Sequence, residues 1–366
     1  MIKLLIDART LGSSPSGVGY YAYNFILGLH KNPDLKLILA SDVCQSDELN
    51  HLRDLGLEIV SYGKPIKKSF KVFEYLGFVD GLIEKYQPDY FWEINNLLPR
   101  KMSGPNCKKI VTIHDVFPLY QKDAYGLVYR IYFRLGMGAT LRNADILFYN
   151  SQSTKANCEK YFPKAKKLKN YISYIIMDME EKSAGKVDND YFLYVGNLEY
   201  RKGVDLLLGA FDRYVAGGGK KKLLLAGKIR DDKIEGMLGD LTKHNSQIEY
   251  LGYIDESLKN ELYQGCSAFV FPSRAEGFGM PVIEASLYHK PVIISKIDVF
   301  EELMGDNAYY FKLDKSNEAS VDNLVEVLRL DDFECKISNP EGYFARFGEE
   351  NLSRNIYGIL KENQDG

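Results

Sequence analysis

Ten short apolar runs of strand length recur along this chain with stretches of helical spacing between them, and no other feature limits its fold as much. The runs are 3–7, 36–40, 90–93, 109–113 and 146–149, then 191–195, 222–226, 248–250, 268–271 and 291–294. Helical spacing fills 20–29 and 73–86 in the first half, and 205–214, 231–241, 257–264 and 282–287 in the second. Strands joined through helices pair in parallel, because a parallel pair needs a long crossover. The expected class is therefore α/β, with two Rossmann-like, doubly wound domains. At 366 residues the chain is long enough for each to bury its own core. The apolar pattern gives way near 169–190 to the charged stretch Glu180-Glu181-Lys182-Ser183-Ala184-Gly185-Lys186. The expected domains are 1–175 and 187–344, with 345–366 packing back on the first and a last helix over 343–362.

Composition narrows the class. No run approaches the roughly 18 apolar residues of a membrane span, and the opening Met1-Ile2-Lys3-Leu4-Leu5-Ile6-Asp7 is too short for a signal peptide. Five scattered cysteines without metal-ligand spacing fit a reducing compartment, so a cytoplasmic location is expected. Residues 1–186 carry 26 Lys and Arg against 19 Asp and Glu, a balance of +7, and the remainder stands at −10. The basic half mixes cations with aromatics: Lys64, Lys67, Lys68 and Lys71 beside Phe70, Phe73 and Tyr75, and Arg130, Arg134 and Arg142 beside Tyr129, Tyr132 and Phe133. That mixture suits peripheral contact with an anionic membrane, placed on the inner face of the cytoplasmic membrane.

The chemistry concentrates in Phe269 to Ala285, FVFPSRAEGFGMPVIEA. An apolar run ends at Pro272-Ser273, then Gly277-Phe278-Gly279-Met280-Pro281 reads as a tight loop opening a helix. Strand, glycine loop and helix N-terminus can hold a phosphorylated ligand. Glu276 and Glu284 flank the loop, and ionised carboxylates only accept hydrogen bonds, so they suit hydroxyls. A ligand that is anionic in one part and hydroxyl-rich in another is a nucleotide sugar. Upstream, Val195-Gly196-Asn197-Leu198-Glu199-Tyr200-Arg201-Lys202-Gly203 follows a strand and opens a helix. Gly196 would let backbone approach a phosphate, and Arg201 with Lys202 would neutralise a diphosphate. Gly227 provides a second glycine turn, and Leu251-Gly252-Tyr253-Ile254 a third, whose backbone could pair with a nucleobase.

Two other patterns are decoys. Gly17-Val18-Gly19-Tyr20-Tyr21-Ala22 fits G-x-G-x-x-A with Asp42 downstream, yet Leu11 to Ser16 separate it from the first strand, against dinucleotide binding. Asp188-Asn189-Asp190 spells D-x-D but precedes a strand, which suits a solvated turn. Trp92, beside Glu93 and Asn95-Asn96, is open between lining an acceptor cleft and packing.

Taken in order, Gly17-Val18-Gly19, His114-Asp115, GNLEYRKG, LGY and EGFGMPVIE resemble the retaining glycosyltransferases of family 4, which have the GT-B fold. Two Rossmann-like domains facing across a cleft would follow. The resemblance implies that Arg201 and Lys202 bind the donor diphosphate, and that Glu276 contacts the donor sugar beside backbone N–H groups of Phe278, Gly279 and Met280. It implies that Glu284 holds the ribose, that His114 stands near the transferring sugar, and that Gly17 and Gly19 line the cleft. Gly196, Gly227, Tyr253, Ile254 and Gly277 complete the donor-binding set, and no metal or cofactor is expected. His114-Asp115-Val116-Phe117-Pro118-Leu119 and EGFGMP are similar to mannosyltransferases of O-antigen and polysaccharide assembly. GDP-mannose is then the first donor and a glycan or polyprenyl-pyrophosphate-linked glycan the acceptor, with no nucleic acid partner. A UDP-sugar transferase and a catalytically silent nucleotide-sugar-binding protein are the alternatives. The chain departs from the family at Lys169-Asn170-Tyr171-Ile172-Ser173, where a Pro-Asn-Gly-type turn is usual, and at Phe347, where a tryptophan is frequent.

Overall fold

The computed structural model describes residues 1–12, 17–64, 66, 69–121, 124–179, 190–330 and 332–364. The chain divides into two units: Met1–Asp178 together with Ala345–Gly366, and Met179–Phe344.

The first unit is built on a parallel sheet of seven strands: β1 (Ile2–Asp7), β2 (Leu35–Ser41), β3 (Glu58–Ser61), β4 (Tyr90–Glu93), β5 (Lys108–Ile113), β6 (Ile146–Tyr149) and β7 (Lys169–Ile172). Their order is β3-β2-β1-β4-β5-β6-β7. Leu5 stands level with Ile38 on one side and Phe91 on the other. Helices cover both faces, so β4 and β6 are buried at every position, the reason they read as unbroken apolar runs. Trp92 packs in this core: its ring lies 5.8 Å from Phe25 and 5.4 Å from Phe148, and its Nε1 donates to Thr112 Oγ1 at 2.8 Å.

The second unit holds six parallel strands: β8 (Tyr191–Val195), β9 (Lys222–Ala226), β10 (Ile248–Gly252), β11 (Ala268–Phe271), β12 (Val292–Ser295) and β13 (Tyr309–Phe311). Their order is β10-β9-β8-β11-β12-β13. In each sheet the chain winds outward one way and then the other, so the order reverses between β1 and β4 and between β8 and β11. Crevices at the carboxyl ends of such strands are where doubly wound sheets bind ligands.

The chain end differs from a single helix over 343–362. Helix Pro340–Phe344 is followed by a 3-10 turn, Ala345–Phe347, and then by helix Glu349–Glu362. The break falls at Gly348, which is extended (ψ 143°), while buried Phe347 gives its carbonyl to Met177 N–H at 3.0 Å. The last helix lies against helix Gly17–His30, where a Cβ on Gly28 would stand 2.1 Å from Ser353 Oγ. Among the described residues no helix is long and apolar enough to cross a membrane.

Candidate functional site

The loops above β8, β9 and β11 form one tightly fitted set. Gly196 (φ 155°) and Gly227 (φ 137°) follow β8 and β9. A Cβ on Gly227 would stand 1.9 Å from the Gly196 carbonyl oxygen, so the two turns touch through bare backbone. Tyr250, on β10, donates to Gly227 O at 2.9 Å and pins the second turn. The 3-10 turn Tyr200–Lys202 ends at Gly203, whose left-handed φ of 70° lets it press on Pro272. Arg274 N–H then donates to Arg201 O at 2.9 Å, joining the β8 loop to the β11 loop.

This joining brings Arg201, Lys202 and Glu276 together. Lys202 Nζ donates to Glu276 Oε1 at 2.5 Å, and Ser273 Oγ donates to the same oxygen at 2.7 Å. Arg201 Nη1 stands 3.8 Å from Glu276 Oε2 and donates to Ala275 O at 2.7 Å, while its Nη2 donates to Glu199 Oε1 at 2.5 Å. The Glu276 side chain is 8% exposed. Burial pushes its carboxyl up, but Lys202, then Arg201 and the hydrogen bonds from Lys202 and Ser273 together outweigh burial and hold it below the usual carboxylate range. Both cations carry fixed charge at the switch point of the sheet, each already facing a carboxylate.

Glu284 occupies a separate cluster, on helix Met280–Leu287. Gly279 opens that helix in the left-handed region (φ 101°), and a Cβ there would meet Phe300 at 2.6 Å. Tyr263 OH donates to Glu284 Oε2 at 3.0 Å, and Lys259 Nζ stands 3.6 Å from Oε1. Phe278 is buried and Gly277 half-buried beside it. Tyr253 is 75% exposed with the Lys228 ammonium 4.8 Å from its ring centre, and Ile254 beside it is half-buried.

The remaining candidates lie in the first unit. Gly17 and Gly19 are not a loop: they form the first turn of helix Gly17–His30, with Gly17 exposed and Gly19 buried. The apolar face of 20–29 carries the helix three residues further towards the N-terminus than its spacing implied. His114 follows β5 and is buried. Its Nε2 stands 2.8 Å from Ile94 O, so Nε2 carries the proton and Nδ1 the lone pair. Burial lowers the imidazole to about 4, with the Ile94 hydrogen bond acting in opposition. The unfolded chain then binds a proton near pH 6.5 that the folded chain refuses until about 4. Stability contributed by the neutral ring is full above that window and falls by about 3 kcal/mol as pH drops through it. Urea titrations followed through Trp92, the single tryptophan, should show this slope in the parent and a flatter one in His114→Gln.

One buried cluster was not legible in the sequence. At the switch point of the first sheet, Arg9 Nε donates to Asp7 Oδ2 at 2.7 Å, and its Nη2 reaches Glu93 Oε1 at 3.0 Å and Oε2 at 2.9 Å. Tyr75 OH donates to Asp7 Oδ1 at 3.0 Å, and the guanidinium carbon lies 4.7 Å from the Tyr75 ring centre. Burial, and then the Asp7 charge, push the Glu93 carboxyl up to about 8 against the pull of Arg9. The nearest signal was the position of Asp7 and Glu93 at the carboxyl ends of apolar runs. Tyr75 and Phe133, read as parts of basic aromatic patches, are core residues instead. Lys67, Lys68, Asp188 and Asn189 lie outside the described residues, as do the side chains of Phe70 and Lys71.

Residues 177–339 match the glycosyl transferases group 1 family. The O-antigen chain mannosyltransferase RfbU of Salmonella typhimurium (strain LT2) is 23% identical, over 99% of this chain and 100% of its own. The serotype-specific mannosyltransferase WbdA of Escherichia coli is 36% identical over 36% of this chain and 16% of its own length. Among solved structures, HepE from Anabaena in complex with UDP-glucose superposes with a TM-score of 0.72 at 15% identity, over 99% of this chain and 100% of that one. The last likeness establishes the fold, the GT-B class that the sequence implied.

Proposed function

Residues 177–339 match the glycosyl transferases of group 1, and from that match we propose that the chain moves a hexose, mannose first, from GDP-mannose to a glycan or lipid-linked glycan in cell-surface polysaccharide assembly. The observation that carries the reading is the Arg201, Lys202 and Glu276 constellation at the switch point of the second sheet. The names of RfbU and WbdA support mannose as the sugar. A UDP-sugar is the second reading, favoured by the UDP-glucose complex of HepE.

The transfer is proposed to be retaining and metal-independent. As the glycosidic bond breaks, its electrons leave with the nucleotide diphosphate, and the charge gathering there is met by Lys202 and Arg201. Cations held in place before the reaction stabilise that charge more in the transition state than in the ground state. For Lys202 to reach the diphosphate it releases Glu276 Oε1, which frees that carboxylate to accept from sugar hydroxyls. The leaving phosphate oxygen takes the acceptor proton on the face from which it departs, so the new bond forms on that same face. Glu284 accepts from the ribose hydroxyls. No carboxylate is required as a nucleophile, so the paired-carboxylate scheme of glycoside hydrolysis does not apply.

The test is turnover of GDP-mannose, UDP-glucose, UDP-galactose and UDP-N-acetylglucosamine with a lipid-pyrophosphate acceptor, with and without EDTA, the product anomer being read by NMR. GDP-mannose should turn over fastest, EDTA should leave the rate unchanged, and the anomer should match the donor. Loss of rate in EDTA removes metal independence, inversion removes retention, and absence of turnover with every donor removes the enzyme reading. Peripheral contact with anionic membrane is part of the same proposal, and flotation with phosphatidylglycerol vesicles checks it.

A further inference from the structure

The turn that carries Arg201 and Lys202 has little of its own to hold it. Tyr200–Lys202 is a single 3-10 turn with no buried side chain and no side-chain cap at Glu199. In the proposed transfer Lys202 also lets go of Glu276, so that pair cannot fix the ammonium while the donor is bound. What remains is a grip on the backbone of the turn, and most of it comes from Arg274.

Arg274 takes hold of two successive carbonyls. Its backbone N–H donates to Arg201 O at 2.9 Å, and its Nη1 donates to Tyr200 O at 2.6 Å. The guanidinium carbon stands 4.0 Å from the Tyr200 ring centre, so the side chain at the head of the turn is held as well. The guanidinium is itself anchored. Nη1 and Nη2 donate to Asp205 Oδ1 and Oδ2 at 2.6 and 2.7 Å, and Nη2 donates to Asn317 Oδ1 at 3.0 Å. All four Nη hydrogens therefore have an acceptor. Asp205 lies in the first turn of helix Val204–Ala216, where the helix N-terminus also favours its charge, and Asn317 opens helix Asn317–Leu328. The Arg274 and Asp205 side chains are 15% and 10% exposed, so water competes weakly for either. Two helices hold one fork, and the fork holds the turn. A lysine would keep the charge but not the planar fork that meets both Asp205 oxygens while aiming a third N–H at Tyr200 O.

We propose that Arg274, fixed by Asp205, is the positioning residue for the two cations of the donor site, keeping Arg201 and Lys202 aimed at the diphosphate after Lys202 has left Glu276. The inference rests on the diphosphate role given to these cations in the proposed function. Arg274 acts through the turn and brings no charge of its own to the donor, since its guanidinium is committed to Asp205.

The experiment is calorimetric titration of the full chain with GDP and GMP, and with UDP and UMP, reading the ratio of diphosphate to monophosphate affinity. The parent should prefer the diphosphate. Arg274→Lys and Asp205→Asn should each lower that ratio by at least about fivefold, a coupling of ordinary size within one hydrogen-bond network. In a Lys202→Ala background the same Arg274→Lys change should lower it by less, because part of what Arg274 positions is then gone. Thermal melting accompanies each variant, and Arg274→Lys leaves a cation beside Asp205, which protects the fold. A variant that melts lower but keeps the parental ratio overturns the proposal, the pair then serving stability alone. An equal fall in the ratio with and without Lys202 overturns it too. A parent with no preference for the diphosphate sinks the donor-site reading and this inference with it, whereas a preference that both variants keep sinks this inference alone.

Discussion

Lys202→Ala should lower kcat for sugar transfer by about 10²–10³-fold, the loss typical of removing one preorganised group from a site of developing charge. The ammonium stands 2.5 Å from Glu276 and 5.0 Å from the Phe271 ring centre, in a position fixed by the left-handed turn at Gly203. Its deletion also leaves Glu276 with Ser273 at 2.7 Å and Arg201 at 3.8 Å as its remaining partners. The melting temperature therefore has to be measured beside the rate. A folded variant with a fallen kcat locates the loss in the transition state, whereas near-parental turnover removes Lys202 from the proposed chemistry. Lys202→Arg keeps the charge but changes its shape, and should recover only part of the rate.

Arg9→Ala should destabilise the first unit by about 3–5 kcal/mol, because it removes one partner of a buried ion cluster and leaves the others. The side chains of Asp7 and Glu93 are 1% and 0% exposed, so neither has water to turn to. With Glu93 already pushed up to about 8, loss of the guanidinium takes away the group that pulls it down. The urea transition seen by Trp92 should move to lower denaturant, since that indole is buried in the same sheet. Replacing Asp7, Arg9 and Glu93 together by Asn, Met and Gln should recover much of the loss, because no charge is then left in the cluster. An unchanged midpoint in Arg9→Ala would refute the cluster's structural weight.

Strands buried on both faces were legible in the sequence, and of the edge strands β3, β7, β10 and β13 only β10 was. Tyr90–Glu93, Ile146–Tyr149, Tyr191–Val195, Lys222–Ala226 and Ala268–Phe271 fall where the apolar runs place them. Glu58–Ser61, Lys169–Ile172 and Tyr309–Phe311 were missed, and all three are edge strands with half-exposed residues. A strand paired on one side needs no unbroken apolar run, so its pattern fades. The same logic governs the site. Arg201, Lys202 and Glu276 could be read because each follows a strand within a few residues. Ser273 and Tyr250 act through contacts that only the folded loops create. Arg9 is harder still, since its partner Glu93 lies 84 positions away.

The pairing of Lys202 with Glu276, and of Arg201 with Glu199, has a consequence for how a ligand arrives. Two cations beside two carboxylates cast almost no net field beyond a Debye length, about 8 Å in physiological salt. A nucleotide sugar would not be drawn from afar; it would find its charges only on contact, as partners exchange. Capture at this site should therefore depend little on ionic strength.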